Sequence, residues 1–201
     1  MTGLAVPPTE DLPRCWWSGP TAADATMVRY HDTEWGVQVR DDTELFERLT
    51  LEAFQAGLSW STILHKRAAF ADAFRRFDPA IVAAFDTVDV ARLMDDVGIV
   101  RNRAKVMATI GNAQAYLRLI ERAAHGFAGY LDGFAPPPPP RRPMSATAAD
   151  LPAFTPAALA LSKDLRSRGF RFVGPTIVYA FLQSVGWVDD HLPGCSRYRA
   201  P

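Results

Sequence analysis

The sequence predicts an all-α fold built as one helical domain over residues 12–201, and three observations predict it. Apolar residues recur at three- and four-residue spacing through most of the chain. Capping residues and prolines stand where these stripes begin, and glycines where they end. No convincing pair of period-2 strands is present. About seven or eight short helices are expected on this pattern.

The elements follow in chain order. Residues 1–11 are rich in Pro, Thr and Gly and are expected to be a disordered tail. Asp41 is an N-cap, and Glu44 three residues on completes a capping box. Leu45, Leu49, Ala53 and Ala56 then form one apolar stripe that ends near Gly57. Ser59 to Arg76 reads as a second helix, stopped by Asp78-Pro79, a pair that also opens the next one. Val90, Leu93, Met94 and Val97 keep i, i+3, i+4, i+7 spacing. Val106, Ile110, Ala113, Leu117 and Ile120 form the cleanest stripe. Residues 135–155 hold the run Pro136 to Pro140, which can be neither helix nor central strand and is expected to make a polyproline surface excursion. Thr155-Pro156 opens a helix closed by Gly169, and Gly174-Pro175 opens one closed by Gly186.

Composition narrows the class. Of 201 residues, 48% are hydrophobic and 11% aromatic, enough for a sizeable core and too many for wholesale disorder. Lys plus Arg is 22 and Asp plus Glu is 22, so bulk charge gives no sign of a nucleic-acid partner. Two cysteines exclude a disulfide scaffold. There is no apolar run near the roughly 18 residues of a membrane span, and no signal-peptide pattern at Met1 to Glu10. A soluble cytoplasmic monomer with no membrane partner is expected.

Three groups of residues carry possible chemistry. Cys15 and His31 near the start, with His191 and Cys195 near the end, make two sulfurs and two imidazoles, a full tetrahedral set for structural zinc. Three residues between His191 and Cys195 let both turn to one ion, and such a site would clamp the chain ends together. Two buried free cysteines and two ordinary histidines remain the other reading, since the halves lie far apart in sequence. Glu52 falls on the apolar stripe of Leu45, Leu49 and Ala56, where a carboxylate needs a partner or its pKa rises. Gln55 to Trp60 follows at once, so acid, amide and indole could line a pocket for a polar aromatic ligand. A Glu paired with a buried Arg, or one reaching solvent, is the reading that the residues alone favour. Finally, Asp96 to Lys105 joins two amphipathic helices through Gly98, with bare helix amides beside Arg101, Arg103 and Lys105, a layout suited to phosphate. An ordinary helix–helix turn with a solvated basic start has the same signature. Lys163, Arg166, Arg168 and Arg171 form a second basic stretch.

Together these segments resemble the DNA-3-methyladenine glycosylase I family of helix-hairpin-helix base-excision enzymes. The resemblance rests on Arg14-Cys15-Trp16-Trp17, Tyr30 to Val37, Leu51 to Trp60, Gly98 to Lys105, Arg168 to Gly174, and Asp189-Asp190-His191 with Cys195. It implies one zinc ion on Cys15, His31, His191 and Cys195, an essential pocket acid at Glu52, and pocket walls from Trp17, Tyr30 and Trp60. It also implies double-stranded DNA containing 3-methyladenine as substrate, the free base as product, and a backbone grip from Gly98, Val100, Arg101 and Arg103. The sequence departs from the family at Ala53, where Gly is usual, near Asp132, where a Trp is frequent, and in the proline run. The expected chemistry is base flipping and hydrolysis of the N-glycosidic bond to leave an abasic site. No suitably placed lysine suggests a Schiff-base lyase. A non-catalytic zinc-containing helix-hairpin-helix protein that binds DNA damage is the rival. A zinc hydrolase is disfavoured, because four protein ligands leave no open metal position.

Overall fold

Helix-forming stripes of this kind bury one face each, so the fold is set by which faces meet. In the computed structural model, residues 12–19, 24–136 and 142–198 are described, and among them there is no strand. Ten α-helices form: α1 Ala25–Thr33, α2 Asp42–Gln55, α3 Trp60–His65, α4 Arg67–Ala73, α5 Pro79–Ala83, α6 Thr87–Asp95, α7 Arg103–Ile120, α8 Gly126–Asp132, α9 Pro156–Ser167 and α10 Pro175–Ser184. The tail 1–11 and Pro137 to Pro140 lie outside the described residues.

The start signals act locally as the sequence indicates. Asp78 accepts from the Ala80 and Ile81 amides with Pro79 at the first helical position, and Thr155 accepts from Ala158 N. Asp41 caps α2 through Glu44 N, but Glu44 does not close a capping box. Its carboxylate instead meets Arg48 at 2.9 Å, because a buried guanidinium holds it more firmly than an exposed cap amide. Two stripes were overread. The Ser59 to Arg76 segment breaks at Lys66 and again at Phe74, and Arg75, Arg76 and Phe77 take left-handed φ of 52°, 54° and 56°. Phe70 and Phe74 pack on Phe54, with ring centres 4.7 and 5.8 Å away, and Phe77 stacks on Phe74 at 5.7 Å. Val97 lies beyond α6 and is exposed.

Helix α2 is the hub. Leu45, Phe46, Leu49, Leu51 and Phe54 are buried against α10, α7 and α8. Each such side chain contributes about 1.5–3 kcal/mol of burial. Helices α9 and α10 pair with each other, and α7 lies against α5 and α6. The segment after α1 docks on the end of α10 through Gly36 N to Gln183 O (3.1 Å) and Val39 N to Val185 O (3.0 Å). Gly186 permits this approach: its φ is +76°, and a Cβ there would stand 2.5 Å from Gln38 N. Ser196 N to Pro13 O, 2.8 Å, brings the two ends of the chain side by side.

Candidate active site and metal centre

A charged residue on an apolar helix face must either find a partner or line a cavity, and Glu52 lines one. The cavity measures about 580 Å³ and is walled by Trp17, Tyr30, Trp35, Glu52, Gln55, Trp60 and Tyr179, with Trp16 beside it, largely exposed. Helix α2 supplies Glu52 and Gln55. The left-handed turn at Gly57 (φ +81°) reverses the chain, Ser59 caps α3, and Trp60 enters as its first residue. Tyr30 comes from α1, its ring centre 5.2 Å from Trp60 and 6.0 Å from Trp17. The buried Nε1 of Trp60 has no protein partner.

Glu52 is 4% exposed. Burial pushes its carboxyl up to about 8, against the pull of the Arg48 cation and the Ser184 hydroxyl. Arg48, one turn earlier on α2, is itself buried. It bonds Glu34 (2.8 Å) and Glu44 (2.9 Å), and its guanidinium carbon sits 5.8 Å from the centre of the Tyr30 ring. Burial first, then the neighbouring Glu52, pushes the Tyr30 hydroxyl up, so it stays a neutral donor.

Cys15, His31, His191 and Cys195, all buried, converge: their ligand atoms lie within 4.8 Å of one another, and they could hold a metal ion. The nitrogen–sulfur distances are 3.7 Å (Cys15 Sγ to His191 Nδ1), 3.3 Å (Cys195 Sγ to His31 Nε2) and 3.5 Å (Cys195 Sγ to His191 Nδ1). The other ring nitrogens are engaged outward, His31 Nδ1 with Asp32 at 2.8 Å and His191 Nε2 with the Trp35 carbonyl at 3.3 Å. Such outer partners fix the ring orientation of ligating histidines. Asp32 is in turn held by Arg14 at 2.7 Å; against its burial, bonds from Arg14 and His31 lower its carboxyl. The neighbouring Cys195 first, then burial, raises the Cys15 thiol, whereas Cys15 first, then His191 and His31, lower that of Cys195.

The segment between α6 and α7 forms the expected turn. Arg101 and Arg103 are exposed, while Val100 is half-buried against the core. Two amides read as free for phosphate are taken: Gly98 N by Asp96 Oδ1 (2.7 Å) and Lys105 N by the capping Asn102 (3.2 Å). Lys105 does not join the basic surface. Its ammonium turns inward onto the carbonyls of Phe54 and Ala56.

The description of the methyladenine glycosylase family fits residues 17–198, nearly the whole chain. The chain belongs to the methyladenine glycosylase family. As a member it is an enzyme, a glycosylase of the hydrolase class. It is 44% identical to DNA-3-methyladenine glycosylase 1 of Escherichia coli (strain K12) over 93% of this chain and 97% of that protein. It is 41% identical to DNA-3-methyladenine glycosylase of Haemophilus influenzae (strain ATCC 51907 / DSM 11121 / KW20 / Rd), over 90% and 96%. A crystal structure of 3-methyladenine DNA glycosylase I superposes with a TM-score of 0.84 at 42% identity, covering 92% of this chain and all of that one. A Tyr-to-Phe variant of the same kind of enzyme, solved in complex with 3-methyladenine, gives 0.81 at 37% identity, covering 89% and 96%.

In this glycosylase several cavity residues escape the sequence reading. Thr176, Tyr179, Ala180 and Gln183 line the cavity from α10. Their i, i+3, i+4, i+7 spacing with three polar members in an apolar helix was a usable signal. Trp35 stands between the cavity and the metal ligands, its ring centre 5.1 Å from Trp17 and 4.6 Å from His191. Ala148, Leu151 and Pro152 also line the cavity, so the 135–155 segment is more than a surface excursion. Asp190, buried, receives bonds from Tyr179 and Arg142 and from Gln183 at 2.8 Å, tying that segment to α10. Among the sequence departures, Asp132 pairs with Arg40 at 2.7 Å on the surface, away from the cavity.

Proposed function

We propose that this glycosylase excises 3-methyladenine from duplex DNA by flipping the nucleotide into the 580 Å³ cavity and hydrolysing its N-glycosidic bond, leaving an abasic site. The observation that carries this is the buried Glu52 carboxyl in a cage of Trp17, Tyr30 and Trp60. Support also comes from the relatives. Two solved ones carry substitutions at a tyrosine and at a glutamate whose positions are numbered 22 apart, the separation of Tyr30 and Glu52.

The chemistry follows from charge. Methylation at N3 leaves the base cationic in DNA, and it departs neutral, so little protonation of the leaving group is needed. Trp17 and Trp60 stack on the base, worth a few kcal/mol at most. Tyr30 offers an oriented hydroxyl. Glu52 accepts from the adenine edge and stabilises positive charge as the bond breaks. The bond electrons leave on the base, which becomes neutral, and a water from the open side of the cavity bonds to the sugar C1′ and gives its proton to solvent. The elevated pKa of Glu52 makes it selective: a cationic base favours the ionised carboxylate, whereas unmodified adenine offers nothing in return for it.

Outside the cavity, α6, the 96–102 turn and α7 act as a helix-hairpin-helix that grips the DNA backbone through Val100, Arg101 and Arg103, while Gly98, whose N–H is held by Asp96, shapes the turn rather than touching phosphate. Cys15, His31, His191 and Cys195 hold one structural zinc ion. Tetrahedral bonds of about 2.3 Å to sulfur and 2.0 Å to nitrogen separate the two atom types by about 3.5 Å, and the distances here run from 3.3 to 3.7 Å. The ion would cross-link the chain ends; with four protein ligands it offers no position for substrate. The enzyme is monofunctional: the cavity lining includes no lysine, and Lys105 is committed to backbone carbonyls.

The test is release of free 3-methyladenine from methylated duplex DNA. Wild type releases it, Glu52→Gln slows release by about 100-fold or more, and an abasic duplex is not nicked. Absence of release by wild type overturns catalysis; rapid nicking overturns the monofunctional assignment.

A further inference from the structure

Lys105 belongs by sequence to the basic run of the hairpin and by structure to the C-terminal end of α2, the helix that carries Glu52. It is 6% exposed, and its Nζ donates to Phe54 O at 2.7 Å and Ala56 O at 2.6 Å. Those carbonyls belong to the last turn and C-cap of α2, two and four residues beyond Glu52. The backbone leaves α2 in an extended conformation at Ala56 (φ −46°, ψ 114°) and turns at Gly57 toward Ser59 and Trp60. Helix ends leave carbonyls without backbone partners, and a cation there also meets the negative end of the helix dipole. A second lysine runs the opposite way. Lys66, directly after α3, donates to Val97 O (3.2 Å) and Gly98 O (3.0 Å) in the hairpin turn.

We propose that Lys105 is a positioning residue of the base pocket rather than a phosphate contact. Its ammonium, with Lys66 in the reverse direction, clamps the segment from Glu52 to Trp60 onto the hairpin, so that backbone grip and pocket move as one rigid body. The carboxyl of Glu52 and the ring of Trp60 then keep a fixed distance from the phosphates that Arg101 and Arg103 hold. This rests on the pocket and hairpin roles given above.

The experiment compares wild type, Lys105→Met and Lys105→Arg, which keeps a cation with several N–H donors at this position. Three quantities are read: affinity for free 3-methyladenine by tryptophan fluorescence, kcat and KM for excision, and affinity for undamaged duplex against salt. In K105M, base affinity and kcat fall about tenfold, since a charge-assisted pair of bonds is lost. Undamaged-duplex affinity and its salt slope stay at the wild-type values, and Lys105→Arg keeps base affinity and kcat closer to wild type than K105M does. A salt slope lower by about one marks Lys105 as a phosphate contact and overturns the proposal. So do base affinity and kcat within twofold of wild type. If K105M does not fold, Lys105→Gln, which keeps an N–H donor, is measured instead against the same outcomes. A wild type that neither binds nor releases the base refutes the pocket assignment itself, a result distinct from either.

Discussion

Glu52 shows what one buried carboxyl does to a molecule. Its acidity can be followed through stability as well as activity. A glutamate carboxyl titrates near 4.5 when unfolded and near 8 here. Between those values the folded chain keeps a proton that the unfolded chain releases, so wild-type stability falls as pH rises through that window and levels off above it. The slope is at most about 1.4 kcal/mol per pH unit. Glu52→Gln removes this term. The variant is expected to melt above wild type at pH 8, with the gap closing toward pH 5, while excision is lost. Equal gaps at both pH values would show that Glu52 is not held protonated. The sequence placed this residue correctly, because 100° per residue puts it on the apolar stripe. It left open whether an arginine neutralises it. Arg48 lies close by, yet its hydrogen bonds go to Glu34 and Glu44, and that division of partners is a tertiary fact.

At the scale of elements, the hairpin between α6 and α7 separates two kinds of cation that look alike in sequence. Arg101 and Arg103 face solvent and Lys105 faces the protein. Arg101→Ala and Arg103→Ala are each expected to weaken binding to undamaged duplex and lower the salt slope by about one, with free-base affinity unchanged. Titrating duplex at several salt concentrations checks this; an unchanged slope in both variants removes the hairpin from the backbone contact. Helix starts were legible here wherever the signal was local, as at Asp78-Pro79, Thr155-Pro156 and Gly174-Pro175. The break-up of residues 59–77 was not. The left-handed turn at Arg75 to Phe77 has no glycine to announce it, and packing of Phe70 and Phe74 on Phe54, with Phe77 stacked on Phe74, offsets its backbone strain.

For the whole molecule, the four buried cysteines and histidines join segments 176 residues apart in the chain, between Cys15 and His191, and could hold a metal ion. The proposed zinc ion is expected to act as a clamp on the ends. Stripping it with a chelator, or Cys195→Ser, should lower the melting temperature by roughly 10 °C and speed proteolysis at Arg14 and Arg197. Metal analysis alongside the melt checks this, and a metal-free protein with an unchanged melt would contradict the clamp. Because Tyr30 precedes His31, and Trp35 bridges Trp17 and His191, loss of the clamp should also weaken base binding severalfold. A neutral net charge suits such an enzyme: its cations are placed locally, and the acids mostly cap helices or pair with buried arginines.

The sequence by itself determined the helical class, the starts of several helices and the acid on the face of α2, and it singled out the two cysteines and two histidines that converge in the structure. These are properties of neighbours in the chain: residue type, spacing and period. Only the tertiary structure decided that α10 and residues 148–152 complete the cavity wall, that Asp190 joins them, and that Lys105 points inward. Each depends on contacts between segments far apart in sequence, where burial and the pairing of polar groups select one arrangement from many that the local pattern permits.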